Sequence, residues 1–316
     1  MELRTLGSSE LRVTAVGLGC NNFGRPNSAT EDQAGTDRVI GAAIDAGVVF
    51  FDTADIYGSP SGRSEELMGV ALRGRRDQIV LATKFGHSSS SFDLAGGAAK
   101  GSRAYLRAAV EASLRRLQTD HIDLYQQHTP DPATPIAETI AALDELVTEG
   151  KIRAFGHSNF RAAQIDEAAD EAARLGTRAF VSAQNEYSLL ARDVEAEVLP
   201  AVNRHGLGFL PFYPLHSGLL TGKFSQDQSP ADSRIVKTRP QLLDDAPWDA
   251  LESYAGFCRS RGVTMLQASI GWLLAQPGLS SVIAGATTAE QVQQNAAAAS
   301  WVPSADDVAE ISAIFA

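Results

Sequence analysis

The feature that most constrains this chain is an alternation sustained almost from end to end. Short apolar or β-branched runs are each followed by a longer segment with helical spacing. Candidate strands fall at 15–19, 49–52, 79–83, 122–127, 152–156, 181–186, 208–211 and 281–284. Between them, stretches such as 105–117 repeat apolar residues at intervals of three and four, which gives a helix one face to bury. Parallel neighbours need a crossover of a dozen or more residues, whereas an antiparallel pair needs only a tight turn. Eight strand–helix units therefore predict a parallel sheet closed into a (β/α)8 TIM barrel of the α/β class, and 316 residues suffice for it as one domain, 1–316.

Three segments lie outside the repeat. Residues 3–13 alternate around Gly7 like a β-hairpin, placed to plug the bottom of the barrel. Residues 86–101 and 215–243 are too long for ordinary connections and follow the third and seventh strands, so both belong at the C-terminal mouth, where barrels carry their binding loops.

Charge and cysteine content narrow the function classes. A formal charge of −11 is the wrong sign for a phosphate-binding surface, so no nucleic-acid partner is expected. Two isolated cysteines, Cys20 and Cys258, form neither a disulfide framework nor a metal cluster. The first residues lack the apolar run of a signal peptide, and no apolar run is long enough for a membrane span, so a cytoplasmic protein is expected. The pattern is equally compatible with a monomer and a homo-oligomer.

Polar residues that demand explanation cluster at strand ends: Asp52, Lys84, His128, the Ser158-Asn159 pair and Gln184. A barrel gathers those ends around one mouth. Phe51-Asp52-Thr53-Ala54-Asp55-Ile56-Tyr57-Gly58, Leu81-Ala82-Thr83-Lys84-Phe85-Gly86 and Asp123-Leu124-Tyr125-Gln126-Gln127-His128 resemble, in order, the Asp/Tyr, Lys and His motifs of the aldo-keto reductase superfamily. Gly156-His157-Ser158-Asn159-Phe160, Gln184-Asn185-Glu186-Tyr187 and 214–223 are similar to its cofactor-binding segments. The resemblance runs from Gly17-Leu18-Gly19 to about Asn295.

It implies reduction of a small carbonyl compound to an alcohol by hydride transfer from a nicotinamide cofactor, NADPH preferred and NAD possible. Negative charge grows on the carbonyl oxygen during hydride delivery, so a proton donor must stand ready. The resemblance makes Tyr57 the general acid. A tyrosine, with pKa near ~10, is a reluctant donor unless a cation eases phenolate formation. Lys84 would be that cation, Asp52 would hold it, and His128 would complete the oxyanion site as a neutral donor or a second proton carrier.

With no strand-linked G-x-G-x-x-G, the cofactor would lie across the mouth. Gly19, Cys20 and Asp52 would approach it, Ser158, Asn159 and Gln184 would hold the carboxamide, and Phe212 would stack on the nicotinamide. Leu215, Ser217, Gly218 and Leu219 would offer backbone N–H groups to the pyrophosphate. Gly285, Thr287, Gln291 and Asn295 would meet the adenosine end. Gly285-Ala286 and Gln291 stand where many relatives carry a Lys-Ser pair and an Arg, so Lys223 and Arg234 are the expected 2'-phosphate cations. The substrate pocket would include Asn21, Asn22, Tyr57, Phe85 and His128, with Phe23, Ile56 and His87 nearby, while His121, His157 and His205 would be structural or surface residues. A metal-dependent barrel enzyme would need three or four converging ligands where Asp52 and His128 supply two, so no metal is expected. The alternative function is a cofactor-binding redox sensor or accessory subunit with little turnover.

Overall fold

The chain opens with the expected hairpin, β1 (Leu3–Thr5) paired antiparallel with β2 (Arg12–Thr14). The computed structural model describes residues 1–92, 94–230 and 233–316, without the side chains of Arg234 and Thr238. After the hairpin come β3 (Val16–Gly19), α1 (Gln33–Asp45), β4 (Phe50–Asp52), α2 (Arg63–Ala71), β5 (Val80–Phe85), α3 (Arg103–Leu117) and β6 (Ile122–Gln127). The alternation continues through α4 (Ile136–Thr148), β7 (Ile152–Ser158), α5 (Ala162–Leu175), β8 (Ser182–Gln184), α6 (Val198–Arg204) and β9 (Gly208–Phe209). The last part holds α7 (Arg234–Thr238), α8 (Gln241–Asp244), α9 (Trp248–Arg261), α10 (Met265–Leu274), β10 (Val282–Gly285), α11 (Ala289–Ala298) and α12 (Ala305–Ile314).

The eight strands after the hairpin form one parallel sheet in the order β10-β3-β4-β5-β6-β7-β8-β9. Its two ends meet around Phe209, whose N–H donates to the Gly278 carbonyl and whose carbonyl accepts from Ser280, both at 2.9 Å. Ile283 then donates to the Pro211 carbonyl at 3.0 Å. The curled sheet, with helices between its strands, is the (β/α)8 arrangement that the alternation predicts. β9 stops at Phe209 rather than running to 211; Pro211 has no N–H to give a ladder and serves only as an acceptor. β5 runs on to Phe85, which places Lys84 inside a strand.

Strand period two sorts the interior into layers. Phe50, Ala82, Leu124, Ala154, Leu210 and Ile283 form one buried cluster with Leu6, Leu11 and Val13 of the hairpin region. The hairpin is thus the plug at the bottom, and each Phe or Leu so buried contributes about 1.5–3 kcal/mol. Gly7 makes this possible. It adopts φ +53°, and a Cβ there would collide with the Val181 carbonyl. Two residues further along the same strands, Asp52, Lys84 and Gln126 take the same inward parity, so a polar layer lies directly above an apolar one. The opposite parity, including Phe51, Leu81, Phe85, Tyr125 and Phe155, packs into the outer core beneath the helices.

Helix starts follow local chemistry. Asp32 caps α1 by accepting from Gly35 N–H at 2.8 Å, and Thr264 with Gln267 forms a capping box on α10. The segment 215–243, whose conformation the pattern leaves open, holds a 3-10 turn at His216–Thr221 together with α7 and α8.

Candidate active site

The polar layer is built around one buried ion pair. Lys84 Nζ lies 2.5 Å from Asp52 Oδ2 and donates to the Thr53 carbonyl at 2.9 Å. The other Asp52 oxygen accepts from Gln126 Nε2 at 3.0 Å and from Gln184 Nε2 at 3.1 Å. Both charges are out of water, which is expensive unless each is paired and its remaining valences are satisfied. The two amides and the carbonyl meet that requirement. Burial opposes the Lys84 ammonium, but Asp52 and the nearby phenol outweigh it, and the lysine pKa ends above its usual value.

Tyr57 stands on the turn after β4, with its N–H donating to the Ala54 carbonyl at 3.1 Å. Its hydroxyl is 3.5 Å from Lys84 Nζ, and that ammonium lies 5.1 Å from the ring centroid. Lys84 does favour the phenolate, as expected from sequence. Burial is the larger effect, however, and with Asp52 it keeps the phenol pKa above its ordinary value. His128 meets the Tyr57 ring edge-on at 5.8 Å and the His87 ring at 4.6 Å. Burial, then the charges of Lys84 and His87, push the His128 pKa far down, so it is neutral near pH 7. Of the two forms open to it from sequence, the neutral imidazole is the one this environment favours.

A cavity of about 1480 Å³ opens beside these groups. It is lined by Gly19, Cys20, Asn21, Asn22, Asp52, Tyr57, His128, Ser158, Asn159, Gln184 and Phe212. Further along, Leu215, Ser217, Gly218, Lys223, Gly285, Thr287, Gln291 and Asn295 line it too. Thus most of the residues singled out in the sequence converge on one space, with Lys84 reaching it through Tyr57. Asn159 donates to the His128 carbonyl at 3.0 Å, and Ser158 donates to the Gln184 carbonyl at 2.8 Å. Asn159, Tyr213 and Ser217 all carry positive φ while lining the cavity. Such backbone is costly for residues other than glycine and gathers where a ligand must be approached closely.

Two expected contacts fall elsewhere, and a third cannot be placed. Phe85 is fully buried and stacks on Tyr125 at 4.8 Å in the outer core, because its neighbour Lys84 takes the inward parity. Leu219 is also buried and does not line the cavity. The side chain of Arg234 lies outside the described residues. Conversely, sequence reading missed Gln126, Tyr213, Lys237 and Gln267, of which the last three line the cavity. Gln126 was detectable, since it shares the inward parity of Leu124 and sits two residues before His128. Tyr213, held by Arg239 at 3.1 Å, carried no such signal.

The sequence profile described as "Aldo/keto reductase family" matches residues 15–316. The chain belongs to the aldo/keto reductase family. This aldo/keto reductase is 36% identical over 314 residues to a "Probable voltage-gated potassium channel subunit beta" of Arabidopsis thaliana, covering 96% of the chain and 92% of that relative. It is 33% identical over 308 residues to "L-glyceraldehyde 3-phosphate reductase" of Escherichia coli (strain K12), covering 93% and 86%. With "Aldo-keto reductase YhdN" of Bacillus subtilis (strain 168) it shares 33% over 320 residues, covering 99% and 93%. The family and its relatives mark this aldo/keto reductase as an oxidoreductase. Among the described residues, no helix is long and apolar enough to cross a membrane.

Proposed function

We propose that this chain reduces an aldehyde or ketone to the alcohol, with Tyr57 giving the proton and NADPH, in preference to NADH, as the reductant. What carries this proposal is the Tyr57 hydroxyl beside a fully buried Lys84–Asp52 pair at the edge of a cavity large enough for a dinucleotide and a small substrate. The cofactor, when bound, supplies the hydride. A carbonyl oxygen held between Tyr57 and His128 gains charge as its carbon is reduced, and Tyr57 Oη passes it a proton. Lys84 offsets the phenolate left behind, while Asp52, Gln126 and Gln184 keep the lysine aimed. His128, neutral, donates from its ring and adds no second cation to the site.

The residues lining the same cavity support one orientation of the cofactor. Ser158, Asn159 and Gln184 would hold the carboxamide, Phe212 would stack against the ring, and the left-handed turn at Ser217 and Gly218, with Leu215, would cradle the pyrophosphate. Gly285, Thr287, Gln291 and Asn295 would flank the adenosine. Lys223 and Lys237 line the cavity, and with Arg234 they would supply the positive charge that favours a 2'-phosphate.

A panel of aldehydes, ketones and sugars assayed with NADPH and with NADH tests the proposal, with turnover of some member and a higher kcat/KM for NADPH expected. Cofactor binding without turnover across the panel would favour an accessory-subunit role instead. That reading draws on the 36% identity to relatives named as channel subunits.

A further inference from the structure

The turn that carries Tyr57 holds a second ionisable group that this chemistry does not use. Asp55 lies inside the turn closed by Tyr57 N–H donating to the Ala54 carbonyl, and its own N–H donates to the Lys84 carbonyl at 3.1 Å. Asp55 is 1% exposed and does not line the cavity, and among the described residues neither carboxylate oxygen has a hydrogen-bond partner of good geometry. Its surroundings are the layer between the barrel and two helices. Glu65 comes from α2, Tyr105 and Arg116 from α3, Tyr125 from β6, and Lys100 from the segment after β5. Glu65 is fully buried and already takes Arg116 at 2.6 Å and the Thr83 hydroxyl at 2.6 Å. An ionised Asp55 is therefore a second buried carboxylate beside a cation that is already engaged.

We propose that Asp55 is a positioning residue for Tyr57, leaving the turn in place while it is a neutral acid and displacing it on ionisation. One short turn, held by its backbone bonds, carries the Tyr57 ring beside Lys84 on one side and the buried Asp55 carboxyl on the other. An unpaired carboxylate in that layer gains by moving toward water, and the turn carries Tyr57 with it. Burial first, and Glu65 second, raise the Asp55 pKa to about 7, against smaller opposing effects from Arg116, the Ile56 N–H and Lys100. The imidazoles near Tyr57 do not compete for this range, because burial lowers both His87 and His128. Tyr57 thus responds to pH near neutrality through a group that never touches substrate.

This inference rests on the catalytic reading of Tyr57 only in its activity arm. Carbon-13 NMR of aspartate carboxyls, with Asp55 assigned by Asp55→Asn, is expected to give a midpoint near 7. The ring resonance of Tyr57, assigned by Tyr57→Phe, should move with the same midpoint in the wild type and lose that step in Asp55→Asn. If the protein turns over, kcat should fall across that step, by up to about a hundredfold for a reacting group misplaced by about 1 Å, and Asp55→Asn should flatten the profile. A wild-type Asp55 midpoint near 4, or a Tyr57 resonance that ignores the Asp55 titration, overturns the proposal. Through-bond assignment of the wild type supplies both readings even if neither variant folds. Neither needs turnover, so failure of the catalytic reading would leave these signals intact.

Discussion

Replacing Lys84 with Met separates what the buried pair does for the fold from what it does for Tyr57. The substitution keeps the length of the side chain but strips Asp52 of its 2.5 Å partner, leaving a carboxylate side chain that is 4% exposed and bonded, among the described residues, to the Gln126 and Gln184 amides. Removing one member of a buried pair costs about 3–5 kcal/mol, because the other charge stays desolvated. For a chain of this size that corresponds to a fall in Tm of roughly 5–8 °C. Adding Asp52→Asn removes the orphaned charge and should restore most of that loss, since a neutral amide can still bond both glutamines. Activity should not return, because the cation beside the Tyr57 hydroxyl is gone, and turnover should stay about 10²–10⁴-fold down in both the single and the double variant. Denaturant melts of the four members of the cycle, with steady-state rates on one carbonyl substrate, make the check. If Lys84→Met loses less than about 1 kcal/mol, or the double variant is no more stable than the single, the pair is not a buried, mutually dependent unit.

Tyr57→Phe should leave cofactor affinity, followed by protein-fluorescence quenching, nearly unchanged while turnover drops about 10²–10⁴-fold; turnover within twofold of wild type would remove Tyr57 from the chemistry. His157 is fully buried against Phe160 and Phe180, and burial holds its imidazole near 3. The folded state keeps it neutral while the unfolded chain takes up a proton below about 6.5, so its contribution is intact above that value and is lost as pH falls toward 3, by up to about 1.4 kcal/mol per unit. His157→Phe should flatten the acid side of the stability curve, and an unchanged slope between pH 6 and 4 would refute this account. Lys223→Ala should reduce the NADPH over NADH preference by about twofold to fivefold, since the exposed lysine is screened and worth little alone. Added salt should narrow the wild-type preference, and a preference indifferent to both would place the 2'-phosphate elsewhere.

Much of the site was legible because strand geometry is periodic. Asp52, Lys84 and Gln184 end or nearly end strands whose alternation points them inward, and Tyr57, His128 and Ser158-Asn159 follow from the adjoining segments. The same alternation turns Phe85 away from the pocket, since the residue after an inward lysine must face the helices. Tyr213 and Lys237 had no periodic signal, as they lie on a long irregular segment whose path is set by what it packs against.

The sequence by itself determined the eightfold alternation, the inward row of polar residues and the hairpin ahead of them, because hydrophobic spacing decides which face of each element leaves water. Only the tertiary structure decided the partners. The barrel closes through Phe209, Gly278 and Ser280; Asp52 is bonded to Lys84, Gln126 and Gln184 from three other strands; and Asp55 is set beside Glu65 behind the turn that carries Tyr57. Those neighbours are distant in the chain, and their meeting depends on strand register and helix docking. The same contacts set the burial that shifts Tyr57, His128 and Asp55, since desolvation is a property of the assembled surroundings and not of the residue.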